Sequence, residues 1–173
     1  CLLAVKPQIL PEVLEDLSGR IDEGGCFVSI VAGIRTAAIE SRLGGAPRVV
    51  RVMPNTPALV AKGAAAVAAG RYATDADRAL AHRILGAVGS TLDVEEPLMD
   101  IVTAVSGSGP AYVFYLMEAM IRAGIDGGLS RETATELVLQ TVAGAAELAL
   151  RTGESPAVLR DRVTSKGGTT EAA

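Results

Sequence analysis

The sequence predicts an α/β sheet domain followed by an all-helical domain, and three observations carry that prediction. Up to residue 94, short β-branched apolar runs alternate with helical patterns, the order of a βαβ sheet covered by helices. Those runs are almost uninterrupted in apolar character, as in parallel strands buried on both faces. Beyond Glu95-Glu96-Pro97, every periodic segment is helical. The boundary accordingly falls at 96/97, with a sheet domain over 1–96 and a helical domain over 97–173.

The elements follow in order. Residues 1–5 read as the end of a buried strand. Pro7-Gln8 opens a helix with Ile9, Leu10, Val13, Leu14 and Leu17 on one face, and Gly24-Gly25 breaks it. Residues 26–31 form a second strand running into Ala32-Gly33. A short helix over 36–43 is stopped by Gly44-Gly45, and 49–53 is a third strand cut off by Pro54. The small-residue run 64–69 is a fourth strand. Thr74 caps a helix to about residue 88, with Asp75 and Asp77 in its first turn, where the helix dipole favours acids. Residues 91–94 make the last strand. In the second half, one helix covers 98–105. Pro110 starts another, which Gly124 helps to end. Ser130 caps a long helix to about Arg151, ended by Gly153, and Pro156 opens a short one to about Val163. The long helix is apolar over much of its circumference, through Leu137, Val138, Val142, Ala145, Leu148 and Leu150. It must be buried, and a domain this small favours a subunit interface over a monomeric bundle.

Composition narrows the chemistry. With 173 residues, 49% of them hydrophobic, the chain can bury a core without disulfide or metal staples. A net charge of −4 argues against nucleic acid or an anionic membrane as partner. Aromatic residues are 3% and Trp is absent, which disfavours base-stacking platforms. The single histidine, His82, and two cysteines, Cys1 and Cys26, leave little for a zinc cluster, a haem site or a Ser-His-Asp hydrolase. Both cysteines sit in strand-like apolar runs and read as buried free thiols of a reducing cytoplasm. The longest uncharged window, 101–117, is shorter than the roughly 20 residues a membrane span needs. Acids such as Asp16, Asp22 and Glu40 read as a solvated face. The chain starts CLLAVKP without a methionine and stops at GGTTEAA, so both ends read as cut from a longer protein.

Five segments could carry chemistry. Ala4-Val5-Lys6-Pro7-Gln8 and Ile30-Val31-Ala32-Gly33 lie at strand carboxyl ends, where open parallel sheets bind ligands and small residues allow close approach. Met53-Pro54-Asn55-Thr56-Pro57 is a third strand end, with one amide and one hydroxyl on a proline-stiffened loop. Ser106-Gly107-Ser108-Gly109-Pro110-Ala111-Tyr112 reads as a turn at a helix N-terminus. Thr164-Ser165-Lys166-Gly167-Gly168-Thr169-Thr170-Glu171 offers free amides and hydroxyls ahead of a further helix, a cradle for a carboxylate or phosphate. Each also fits an ordinary turn or cap.

Taken together and in order, AVKPQ, SIVAG, RVMPNTPALVAKGA, AVSGSGPAY and VTSKGGTTEAA resemble the pyrroline-5-carboxylate reductase family over essentially the whole chain. The resemblance implies a Rossmann-type domain, its N-terminal part missing here, followed by an all-α dimerisation domain, with dimers that often assemble into decamers. It implies reduction of 1-pyrroline-5-carboxylate to proline with NADPH, or NADH, as the last step of proline biosynthesis. Ala4, Val5, Lys6, Pro7, Val31, Ala32 and Gly33 match cofactor-contacting strand ends, and Asn55 and Thr56 match the loop near the nicotinamide. Ser165, Gly167, Gly168, Thr169 and Thr170 match the loop that holds the substrate, with Thr170 at the ring nitrogen as the catalytic candidate. Two departures stand out: Lys166 occupies a position where many members carry proline, and the glycine-rich GxGxxG turn is absent. Imine reduction needs orientation and exclusion of water more than acid–base equipment, which suits a chain so poor in histidine. Two other readings remain open. One is a two-domain dehydrogenase of the β-hydroxyacid type, which usually carries a catalytic lysine on the helical side, where Lys166 is the only lysine. The other is a non-catalytic helical dimerisation module.

Overall fold

The computed structural model describes residues 1–20, 25–165 and 167–168. The chain divides into two compact units, Cys1–Tyr112 and Val113–Ala173. In the first, β1 (Leu2–Leu3), α1 (Leu10–Leu17), β2 (Cys26–Ser29), α2 (Thr36–Leu43) and β3 (Arg48–Met53) alternate as the sequence predicts. They are followed by β4 (Gly63–Ala69), α3 (Asp75–Gly86) and β5 (Gly89–Asp93), and the five strands lie in chain order across one sheet. Alternate side chains divide the core. Phe27 and Val49 pack with Leu10, Leu14, Ile39 and Leu43 of α1 and α2. Val28, Val50, Val52 and Val67 pack with Ala81 and Leu85 of α3.

The sheet is not wholly parallel. β1, β2 and β3 are parallel and so are β4 and β5, but β4 runs antiparallel to β3. The reason is the connection. Residues 54–62, with a 3₁₀ turn at Thr56–Val60, are too few for the crossover of about a dozen or more residues that a parallel neighbour requires. Nor is every strand buried on both faces: Leu92 on the edge strand β5 is exposed. The thiols differ from expectation too. Cys1, at the start of the edge strand β1, is exposed, and Cys26 is half-buried. Burial, with Asp77 beside it, pushes the Cys26 thiol up to about 11, so it stays protonated.

Local corrections have local causes. α1 ends at Leu17 because Ser18 leaves the helical region, and Ile9 lies exposed just before the helix; Asp22 and Gly24 fall outside the described residues. Glu40 is buried, not solvated: its Oε1 accepts the Arg71 N–H at 2.9 Å. Gly70 permits this, since a Cβ there would lie 2.8 Å from the Val49 carbonyl oxygen and against the Glu40 carboxylate. The helix expected over 98–105 is a 3₁₀ turn (Glu96–Leu98), a single α turn, α4 (Met99–Val102), and a π turn (Thr103–Gly107). The Ser108 N–H reaches back to the Thr103 carbonyl at 2.8 Å, so the expected helix–helix turn is itself wound, directly ahead of α5 (Gly109–Asp126).

Gly124 does not end α5. It sits inside the helix, where an added Cβ would come within 3.2 Å of Ala134 Cβ, so the residue allows close packing against α6 (Arg131–Thr152). The Ser130 hydroxyl caps α6 at the Thr133 N–H, Gly153 closes it with φ +66°, and α7 (Pro156–Val163) follows. In the second unit, Ala134 and Val138 are the buried residues of α6, while Leu137, Leu139, Leu148 and Leu150 are exposed. Phe114, Tyr115 and Leu116 of α5 are exposed as well. An open hollow of about 580 Å³ runs beside Phe114, Met117, Ile121 and Thr135. No described helix is long and apolar enough to cross a membrane.

The start of α3 yields a pH prediction. Thr74 and Asp77 form a reciprocal capping box, and Arg48 lies 3.6 Å from the Asp77 carboxylate. Burial alone would raise the Asp77 carboxyl, but the Thr74 hydroxyl and amide, the Cys26 thiol and the Arg48 charge outweigh it and hold it below the usual carboxylate range. A depressed acid contributes stability fully above its unfolded-chain value of about 3.9 and loses it as pH falls through the folded-state value. Asp77→Asn should therefore cost about 1 kcal/mol near neutrality and flatten the fall in melting temperature below about pH 4. Thermal unfolding across that range checks it; an unchanged acid limb would contradict the assignment.

Candidate functional site

Because β1, β2 and β3 are parallel neighbours, their carboxyl ends open on one edge of the sheet. After β1, Ala4, Lys6 and Pro7 are exposed, and Val5 packs against the core. The Lys6 carbonyl accepts the Ile9 N–H at 2.9 Å and turns the chain towards α1. After β2, the buried Ser29 hydroxyl accepts the Val31 N–H at 3.3 Å, and Val31 anchors the turn in the core. Ala32 and Gly33 are then exposed, and Gly33 has φ +75° with open space where a Cβ would stand. The edge thus presents backbone with little side chain over it, plus one exposed ammonium. A flat, anionic ligand such as a dinucleotide fits that description.

After β3, Thr56 is exposed, but the Asn55 carboxamide is engaged by the chain itself. Its Oδ1 accepts the Ala64 N–H at 2.8 Å, and its Nδ2 donates to the carbonyl and hydroxyl oxygens of Ser106, each at 3.3 Å. One side chain thereby joins the β3 end, the β4 start and the π turn. The Ser-Gly-rich segment meets the Met53-Pro54-Asn55 segment through this contact. Gly107 tightens it, since a Cβ there would lie 2.6 Å from Met53 Cε.

Behind the edge lies a cluster that the sequence reading did not single out. Arg51 of β3 is 3% exposed. Its guanidinium lies 3.5 Å from Glu96 and 3.9 Å from Asp100. The Glu96 carboxylate also accepts the Thr36 N–H and the Thr36 hydroxyl, each at 2.7 Å, at the start of α2. The available signal was an arginine inside the apolar run Val49-Val50-Arg51-Val52-Met53: a charge in a buried strand requires a partner.

In the second unit, Ser165 and Gly167 are exposed, and the Gly168 N–H donates to the Ser165 carbonyl at 2.9 Å. Thr169, Thr170 and Lys166 lie outside the described residues. His82 is fastened at both ring nitrogens, to Thr91 Oγ1 at 2.8 Å and Asp93 Oδ1 at 3.0 Å, and ties α3 to β5 away from the open edge. Among the described residues, no group of three His, Cys, Asp or Glu side chains could hold a metal ion.

The chain is 50% identical over 173 residues to the pyrroline-5-carboxylate reductase of Pseudomonas aeruginosa, covering 99% of this chain and 63% of that protein. The solved structure of a Coxiella burnetii pyrroline-5-carboxylate reductase superposes with a TM-score of 0.92 at 44% identity, covering 99% of this chain and 64% of that one. Along nearly its whole length the chain is similar to pyrroline-5-carboxylate reductases. The pyrroline-5-carboxylate reductase dimerisation family matches residues 96–173. A Plasmodium falciparum pyrroline carboxylate reductase, solved with NADP bound, superposes with a TM-score of 0.90 at 35% identity, covering 99% of this chain and 65% of that one. The chain thus spans somewhat under two thirds of the length of these relatives. The shared fold is the mostly parallel sheet with its helices and the helical part that follows.

The Asn55 contacts predict a stability effect. Asn55→Ala strands the Ala64 N–H and the Ser106 carbonyl and should cost about 1–3 kcal/mol, the range for unpaired, partly buried polar groups. Chemical denaturation reads this directly, and a loss under about 0.5 kcal/mol would mean that water replaces the carboxamide without penalty.

Proposed function

We propose that the protein carrying this chain reduces 1-pyrroline-5-carboxylate to L-proline with NADPH or NADH, the final step of proline biosynthesis. The observation that supports this reading best is the sheet edge itself. Three consecutive parallel strands deliver the turns at Ala4-Val5-Lys6-Pro7, Val31-Ala32-Gly33 and Asn55-Thr56 to one side, in a chain related to a reductase that binds NADP.

In this reading, the bare backbone at Ala32 and Gly33 lets the nucleotide approach closely, and the exposed Lys6 ammonium offsets phosphate charge. Thr56 faces the nicotinamide, and Asn55 acts from behind by holding its loop in place through Ala64 and Ser106. The reduced nicotinamide, when bound, supplies the hydrogen and electron pair that saturate the imine carbon. The protein's own task is to align the two rings and keep water out. Ser165, Gly167, Gly168 and Thr169 hold the substrate carboxylate through amides and hydroxyls, and the Thr170 hydroxyl holds the proton at the ring nitrogen. Residues 97–173 supply this loop and form a homodimer. Pairing with a second copy would cover Leu137, Leu148 and Leu150, which the isolated chain leaves in water.

The test is an assay of the intact protein with NADPH and either 1-pyrroline-5-carboxylate or a set of β-hydroxyacids. Proline formation with no turnover of the hydroxyacids is expected, and the reverse would overturn the reading. Thr170→Val should lower kcat on the order of a hundredfold with little change in melting temperature. Unchanged turnover would remove Thr170 from the reaction.

A further inference from the structure

We infer that Glu96 is a positioning residue for the nucleotide-binding edge, acting through Thr36 and Arg51 without touching the nucleotide; this rests on the nucleotide reading given above. α2 begins without a cap of its own. Its N-cap residue, Arg35, makes no side-chain capping bond, and its first turn contains no acid. The donors at a helix start need a partner, and a negative charge is favoured there. Glu96, sixty residues further along, fills the role with both carboxylate oxygens, one on the Thr36 N–H and one on the Thr36 hydroxyl. Thr36 is 3% exposed, so these bonds are shielded from competing water.

The position of Thr36 decides what this clamp controls. Only Ile34 and Arg35 separate it from Gly33, so the place of Thr36 sets where the exposed Ala32-Gly33 turn can lie. The Ser29 bond to the Val31 N–H holds the other end of the same turn. Glu96 in turn is held by Arg51, whose register partner in β2 is Ser29. Arg51 belongs to the strand that delivers Asn55 and Thr56. One carboxylate therefore ties the turn after β2 to the strand leading to the next turn. Glu96 is also the first residue matched by the dimerisation family, so the tie is made by the segment that leads into the helices.

The experiment uses the intact protein and three variants, Glu96→Gln, Thr36→Val and Thr36→Ser. NADPH affinity is measured by fluorescence titration, alongside kcat and both KM values and the melting temperature. Glu96→Gln should weaken NADPH binding and raise its KM about tenfold, the size of one charge-assisted hydrogen bond lost, while the imino-acid KM moves less than about twofold. Thr36→Val keeps the Glu96–Arg51 pair and should shift NADPH affinity about threefold in the same direction, and Thr36→Ser should restore it. A purely structural role would lower the melting temperature of Glu96→Gln yet leave NADPH affinity unchanged, and that result overturns the inference. If Glu96→Gln does not fold, Thr36→Val carries the test, and wild-type NADPH affinity in a folded Thr36→Val overturns it. If the wild-type protein binds NADPH but does not reduce 1-pyrroline-5-carboxylate, the substrate assignment fails and the titrations still decide the role of Glu96. If the wild-type protein does not bind NADPH, both fail.

Discussion

A guanidinium inside a β-sheet persists only where opposite charge reaches it, because an unpaired buried cation costs several kcal/mol. Arg51 imposes that requirement on its surroundings. The charge comes from Glu96 and Asp100, on the segment between the last strand and the first helical turns. Glu96 then spends both oxygens on the start of α2. The neutralisation of one side chain in β3 thus brings together three parts of the first unit that are distant in sequence. The turns proposed to receive the nucleotide are borne by two of them.

Asn55 makes a second tie of the same kind with neutral groups. Its carboxamide satisfies a strand amide and reaches the π turn at Ser106. The polar side chains Asn55, Ser29 and Glu96 near the open edge of this sheet therefore work on the backbone around them, while the groups left open are mostly small or main-chain, with the Lys6 ammonium beside them. That division suits a site that orients its reactants and supplies little acid–base chemistry. The second unit presents the opposite condition. Its helices bury only a narrow seam, at Ala134 and Val138, and leave large apolar side chains in water. A surface of this kind calls for a second protein surface, in keeping with its match to a dimerisation family.

The strand and helix order was legible because apolar periodicity and caps are local signals. α2 and α7 fall on the residues the sequence predicts, and Thr74 and Ser130 cap the helices they precede. The direction of β4 was not legible from its own residues, since an alanine-rich run reads alike in either sense; the short connection from β3 settles it. Gly124 illustrates a further limit. A glycine late in a helix can mark a terminus or a close contact, and only the approach of Ala134 distinguishes the two. Glu40 read as solvated because nothing near it in sequence shows the Arg71 amide it must accept.

The sequence by itself determined the succession of elements, the turns at the strand ends, the apolar long helix and, through its motifs, the resemblance to the reductases. All of these depend on residues near one another in the chain. Tertiary structure decided which turns share an edge, that Asn55 serves its own loop, and that Arg51, Glu96 and Thr36 form one cluster. Those outcomes follow from buried charge and unpaired backbone donors seeking partners wherever the fold brings them, at separations that no local pattern encodes.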